Sequence, residues 1–135
     1  MDGILIIDKP AGITSHDVVS RVRRILKTRR VGHTGTLDPF ATGVMVVLVG
    51  KATRLAQFLD KDEKEYLATL RFGFETDTGD ATGQFKSQIS NLKSVSTADV
   101  EGVLQAFTGE IMQVPPMYSA KKIAGKKLYE HARKG

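Results

Sequence analysis

One stretch of this sequence concentrates the ingredients of a reactive site. Residues 31–43 read Val-Gly-His-Thr-Gly-Thr-Leu-Asp-Pro-Phe-Ala-Thr-Gly, with three glycines and three threonines around one His and one Asp. Glycines let a backbone turn tightly or approach a ligand closely. Pro39 holds the backbone of Asp38 to extended values. Such a loop can present a carboxylate as a nucleophile, or it can be an ordinary Asp-Pro turn. His33 is a second polar group in the same stretch, and its plain alternative is a structural loop histidine. Tyr66 is a third candidate: a ring with a polar tip can serve a site, or it can simply face a core from a strand. Lys121, Lys122, Lys126 and Lys127 crowd near the end of the sequence. They suit phosphate contacts or a solvated basic helix.

Other chemistries are poorly served. Cysteine is absent, which excludes disulfides and thiol chemistry. His16, His33 and His131 are scattered, so no metal-ligand spacing emerges. No apolar run approaches the roughly 20 residues of a membrane span. The start, Met1-Asp2-Gly3-Ile4, lacks the basic opening and apolar core of a secretory signal. A cytoplasmic location is the expectation. The net charge of +5 is unevenly spread: residues 1–50 carry +3, residues 51–116 carry −3 and residues 117–135 carry +5. A polyanion such as RNA fits this distribution, and so does surface charge serving solubility.

The elements that must position these residues follow from local pattern. Gly3 to Asp8 reads as a strand, closed by Lys9-Pro10-Ala11-Gly12 turn chemistry. Thr14 and Asp17 form a capping-box pattern. After it, Val18, Val19, Val22, Ile25 and Leu26 recur at helical spacing, with basic residues largely on the other side. The Gly/Thr loop 31–43 then feeds a buried strand, Val44 to Val49. A short helix is predicted over Ala52 to Leu59 and a strand over Glu65 to Phe74, with Tyr66, Ala68, Leu70 and Phe72 on one face. An acidic loop follows from Glu75 to Gly83, then a helix over Thr97 to Phe107 capped by Ser96 or Thr97. Thr108 to Val114 suits a strand and Gly125 to Arg133 a basic helix. The mixture gives an α+β or α/β class, and periodicity alone leaves strand direction open.

The string Gly32-His33-Thr34-Gly35-Thr36-Leu37-Asp38-Pro39-Phe40-Ala41-Thr42-Gly43 resembles the catalytic signature of the TruB family of pseudouridine synthases. Leu5 to Pro10 with Gly12 to Ser15 resembles the family's Lys-Pro motif. Glu65-Tyr66 with Leu70 to Gly73 resembles its tyrosine motif, and Thr76 to Gly83 a loop of its bacterial branch. Pro115 to Lys122 and Gly125 to Glu130 continue the match in order.

This resemblance implies an α+β fold with a mixed, mainly antiparallel sheet and flanking helices. It implies that residues 1–135 are the N-terminal part of a catalytic domain, ending within an RNA-gripping thumb. The C-terminal RNA-binding domain and the strand bearing an arginine partner for the aspartate would then lie elsewhere. The implied activity is isomerisation of the T-loop uridine at position 55 of tRNA. That reaction breaks the N1–C1′ bond and rejoins the base through C5, so it needs no cofactor. Asp38 would be the nucleophile. Tyr66 would stack on the target base and take part in proton transfer. His33 would fill the space a flipped nucleotide leaves, and Lys9-Pro10 would support the loop from behind. Lys121, Lys122, Lys126 and Lys127 would contact RNA. The implied partner is the tRNA T-arm, with no membrane and no required protein partner. Two alternatives stand beside this one: a non-catalytic RNA-binding module, and a guide-dependent, dyskerin-like synthase. The bacterial look of Thr76 to Gly83 and of Met117 to Gly135 disfavours the latter.

Overall fold

The computed structural model describes residues 1–59, 63–88, 95–115, 122–123 and 125–127. The chain divides into two units, Met1–Leu67 and Ala68–Gly135.

The first unit is a three-stranded antiparallel sheet with a helix on one face. Its strands are β1 (Gly3–Lys9), β2 (Val31–His33) and β3 (Gly43–Val49), and β3 lies in the middle. The β-branched residues of β1 and β3 suit a pleated, packed surface. Helix α1 (Ser15–Ile25) connects β1 to β2. Its start is fixed as the sequence predicts: the Thr14 hydroxyl accepts the Asp17 N–H, and the Asp17 carboxylate accepts the Thr14 N–H. Hydrogen bonds from the Thr14 hydroxyl and backbone hold the Asp17 carboxyl below its ordinary range.

Alternation along the strands decides the faces. Val31, Met45, Val47 and Val49 meet Val18, Val19 and Val22 of α1 in one buried cluster, with Ile7, Ile13, Leu26 and Leu37 against it. Each fully buried valine of this kind contributes about 1.5–3 kcal/mol. On the other face, Ile4, Ile6 and Val44 are exposed while Leu48 is buried. The predicted buried strand is therefore the central strand of its sheet, with Val44 exposed and Gly43 and Val46 half-buried. The 3-10 segment Gly50–Leu55 and the short helix α2 (Ala56–Leu59) replace the single helix expected over Ala52 to Leu59.

The second unit holds a hairpin of β4 (Phe74–Thr76) and β5 (Phe85–Gln88), the helix α3 (Thr97–Leu104) with a 3-10 extension Gln105–Phe107, and a small antiparallel pair, β6 (Lys122–Ile123) and β7 (Lys126–Lys127). Ser96 caps α3 in a second capping box with Asp99. The Asp80 carboxylate gathers the Thr78 and Thr82 hydroxyls and the Thr82 N–H, which closes the hairpin loop. The guanidinium of Arg71 lies 4.4 Å from the Phe74 ring centroid, and Phe74 meets Phe85 edge-on.

The α+β class and the mainly antiparallel pairing hold: every described ladder is antiparallel. Four local expectations do not. Residues 65–71 are irregular, and a strand begins only at Phe74. Alternating side chains make a strand only where a neighbour takes the backbone N–H and C=O groups. Among the described residues no ladder partner flanks 65–71, and Leu70 and Tyr66 stay exposed. Thr108 to Val114 is likewise irregular, interrupted by Gly109 at φ +85. The basic helix expected from Gly125 begins instead as β7, because Gly125 at φ +81 reverses the chain; residues 128–135 lie outside the described residues. The loop 31–43 opens with β2, and Phe85–Gln88 is a strand that the sequence pattern did not signal.

Candidate active site

Asp38 lies in the segment that joins β2 to β3, and its neighbours on both sides are anchored. Leu37 packs its side chain against the core. The Ser15 hydroxyl, buried at 3% exposure, accepts the Leu37 N–H at 2.9 Å and donates to the Leu37 carbonyl at 3.1 Å. On the other side, the Pro39 carbonyl accepts the Gly12 N–H at 2.8 Å and the Lys9 ammonium at 3.3 Å. Lys9 is fully buried, and its Nζ also donates to the carbonyls of Pro10 at 3.0 Å and Ile13 at 2.8 Å. A buried ammonium needs such partners to offset its desolvation. Lys9 therefore ties the end of β1, the turn before α1 and the Asp38 loop into one block.

Asp38 itself opens a tight turn, with the Ala41 N–H donating to its carbonyl at 3.1 Å. Asp followed by Pro suits the first two positions of such a turn. The side chain is exposed and takes no hydrogen bond or ion pair among the described residues. The turn reading and the reactive reading are thus compatible: the backbone makes the turn, and the carboxylate remains available at a fixed place.

His33 ends β2 opposite Val47, and Thr34 extends the ladder by donating to Val46. The ring is half-buried and its Nδ1 is buried with no hydrogen-bond partner among the described residues. Unsatisfied buried polar atoms are uncommon and costly. Tyr66 is 67% exposed in the irregular segment 63–71. No hydrogen bond or ring contact joins it to Asp38 or His33 among the described residues. The structure therefore brings His33 and Asp38 into one strand-loop segment and leaves Tyr66 without a contact to either. Lys121 lies outside the described residues, as do the side chains of Lys122, Lys126 and Lys127. Among the described residues no three of His, Cys, Asp and Glu gather to hold a metal, and no helix is long and apolar enough to cross a membrane. Ser15 was legible in the sequence only as a helix-start residue. Nothing in its spacing points to Leu37.

Comparison with known proteins shows the family to which this sequence belongs. Residues 23–135 match the TruB family pseudouridylate synthase (N terminal domain). The chain belongs to that family. Over all 135 residues it is 51% identical to the tRNA pseudouridine synthase B of Caldicellulosiruptor saccharolyticus and 53% identical to that of Fusobacterium nucleatum, covering 46% of each. The same protein of Bacillus cytotoxicus is 48% identical, with 44% of it covered. The chain thus spans less than half the length of these relatives. Among solved structures, one chain of a Cbf5-Nop10-Gar1 complex is 31% identical, with a TM-score of 0.59. That match covers 89% of this chain and 31% of the other.

Proposed function

We propose that this chain is the N-terminal part of the catalytic domain of a tRNA pseudouridine synthase acting on the T-loop uridine at position 55, with Asp38 as nucleophile. The observation that carries the reading is the Asp38 carboxylate: exposed, without a side-chain partner among the described residues, and flanked by backbone anchors on Leu37 and Pro39. A nucleophile must reach its substrate without first breaking protein contacts, and its placement must be rigid. The relatives support the substrate class, since those of Caldicellulosiruptor saccharolyticus, Bacillus cytotoxicus and Fusobacterium nucleatum are tRNA pseudouridine synthases by name.

In this reading the target uridine leaves its stack to meet Asp38. Unstacking costs a few kcal/mol. His33 offsets part of that cost by occupying the vacated space. Tyr66, exposed in the structure, stacks on the extruded base once RNA is bound. The lysines 121, 122, 126 and 127 contact phosphates and set register, while the exposed loop of the RNA sets identity. The chemistry is an isomerisation and draws on no cofactor. The site works in the cytoplasm on the tRNA T-arm without an obligatory protein partner.

Two substitutions in the complete gene product test the supporting residues. His33→Ala is expected to lower turnover on a folded T-arm about tenfold, and much less on an RNA whose target uridine is already unstacked. Equal losses on both RNAs would remove His33 from the space-filling role. Tyr66→Phe keeps the ring and loses the hydroxyl, whereas Tyr66→Leu loses both. Leu is expected to weaken turnover by on the order of a hundredfold, with about 1–3 kcal/mol of that from stacking. Full activity of Tyr66→Phe would leave only stacking, and full activity of Tyr66→Leu would place Tyr66 outside the site.

A further inference from the structure

We infer that Ser15 is a positioning residue for the catalytic carboxylate, a role resting on the reading of Asp38 as nucleophile. Ser15 belongs to the first turn of α1, far in sequence from the loop it holds. Its single hydroxyl bonds both backbone groups of one residue: it accepts from the N–H and donates to the carbonyl of Leu37. Holding both ends of one residue fixes both of its backbone torsions. The carbonyl of Leu37 also belongs to the peptide plane that carries the Asp38 N–H. Fixing that plane fixes where the Asp38 side chain departs from the backbone.

Three features make this more than local packing. Ser15 is 3% exposed, so water does not compete for either bond. Asp38 has no side-chain partner among the described residues, so within them its orientation rests on its neighbours' backbones. The helix that carries Ser15 is itself immobilised, by the Thr14–Asp17 capping box at its start and by Val18, Val19 and Val22 in the core. The hydroxyl transmits that rigidity to the residue before the carboxylate. The anchor at Pro39 acts on the following peptide and cannot replace it.

The test uses the complete gene product, with tritium release from 5-tritiated uridine in tRNA and amide exchange as readouts. Ser15→Ala removes the hydroxyl and leaves a good helix former at the same place. It is expected to lower kcat by about 10- to 100-fold with KM for tRNA little changed, as a displacement of about 1 Å does to a reacting group. The Leu37 amide is expected to exchange faster, while the amides of Val19 and Val22 keep their protection. Ser96→Ala is the control: it weakens an equivalent capping box, that of α3, which takes no part in holding Leu37, so it lowers the melting temperature and spares kcat. A Ser15→Ala kcat within twofold of the wild type, or an equal kcat loss in Ser96→Ala, would overturn the inference. Absence of turnover by the wild-type protein would instead overturn the nucleophile reading on which it rests. Faster Leu37 exchange would then still report the clamp.

Discussion

Asp38→Asn in the complete gene product is expected to abolish pseudouridine formation, by a factor on the order of 10⁴ or more, while RNA binding stays largely intact. The magnitude follows from removing a covalent nucleophile, which acts as a unit with the rest of its site. Asparagine has the same shape and none of the charge. The loop should keep its form, because its anchors act on backbone atoms and on neighbouring residues: Ser15 on Leu37, Lys9 and Gly12 on Pro39, and the Ala41 N–H on the Asp38 carbonyl. Affinity for RNA is dominated by phosphate contacts, to which a carboxylate contributes nothing favourable. Turnover is read by tritium release and binding by filter retention across a salt series. Substantial turnover in the variant would remove Asp38 from the nucleophile role.

The second large effect is expected from Lys9→Met. Methionine keeps the length of the apolar stem and removes the ammonium. The carbonyls of Pro10 and Ile13 then lose a charged donor in a dry place, and Pro39 keeps only the Gly12 N–H. Hydrogen bonds to charged groups contribute about 1.5–3 kcal/mol each, and relief of the ammonium's desolvation offsets part of that. A net loss of about 2 kcal/mol is expected, seen as a fall of roughly 10 °C in melting temperature for a domain of this size. Turnover measured well below that temperature should fall about tenfold or more, because the Asp38 loop loses one of its anchors. Unchanged melting and turnover would mean that Ser15 and Gly12 hold the loop without Lys9. Lys9→Arg should not rescue, since a planar fork cannot occupy a site shaped for a tetrahedral ammonium.

What could be read from the sequence divides along a physical line. β1, α1 and β3 bury one another, so their apolar spacing reports the packing that forms them, and they sit close to where pattern places them. The capping box at Thr14 is local in sequence and was plain, and the cap of α3 was narrowed to Ser96 or Thr97, of which Ser96 serves. Tyr66, Ala68, Leu70 and Phe72 alternate just as well, yet no described neighbour pairs with that segment. A strand is a property of two segments, and one segment's pattern shows only half of it. The basic stretch after Gly125 misled for a related reason: helix propensity in the lysines yields to a glycine at φ +81. At the candidate site, the Gly/Thr-rich loop was legible from residue type, while the choice of Asp38 over an ordinary Asp-Pro turn came from the family resemblance. Ser15's hold on Leu37 was not legible, because a contact spanning 22 residues leaves no local trace.

The most direct measurement is pseudouridine formation by the purified complete gene product on a T-arm stem-loop RNA carrying tritium only on C5 of the uridine at position 55. The account predicts release of about one tritium per RNA from that position, without added cofactor or partner protein, and no release by Asp38→Asn. Absence of release from that RNA, or release that persists in Asp38→Asn, would contradict it.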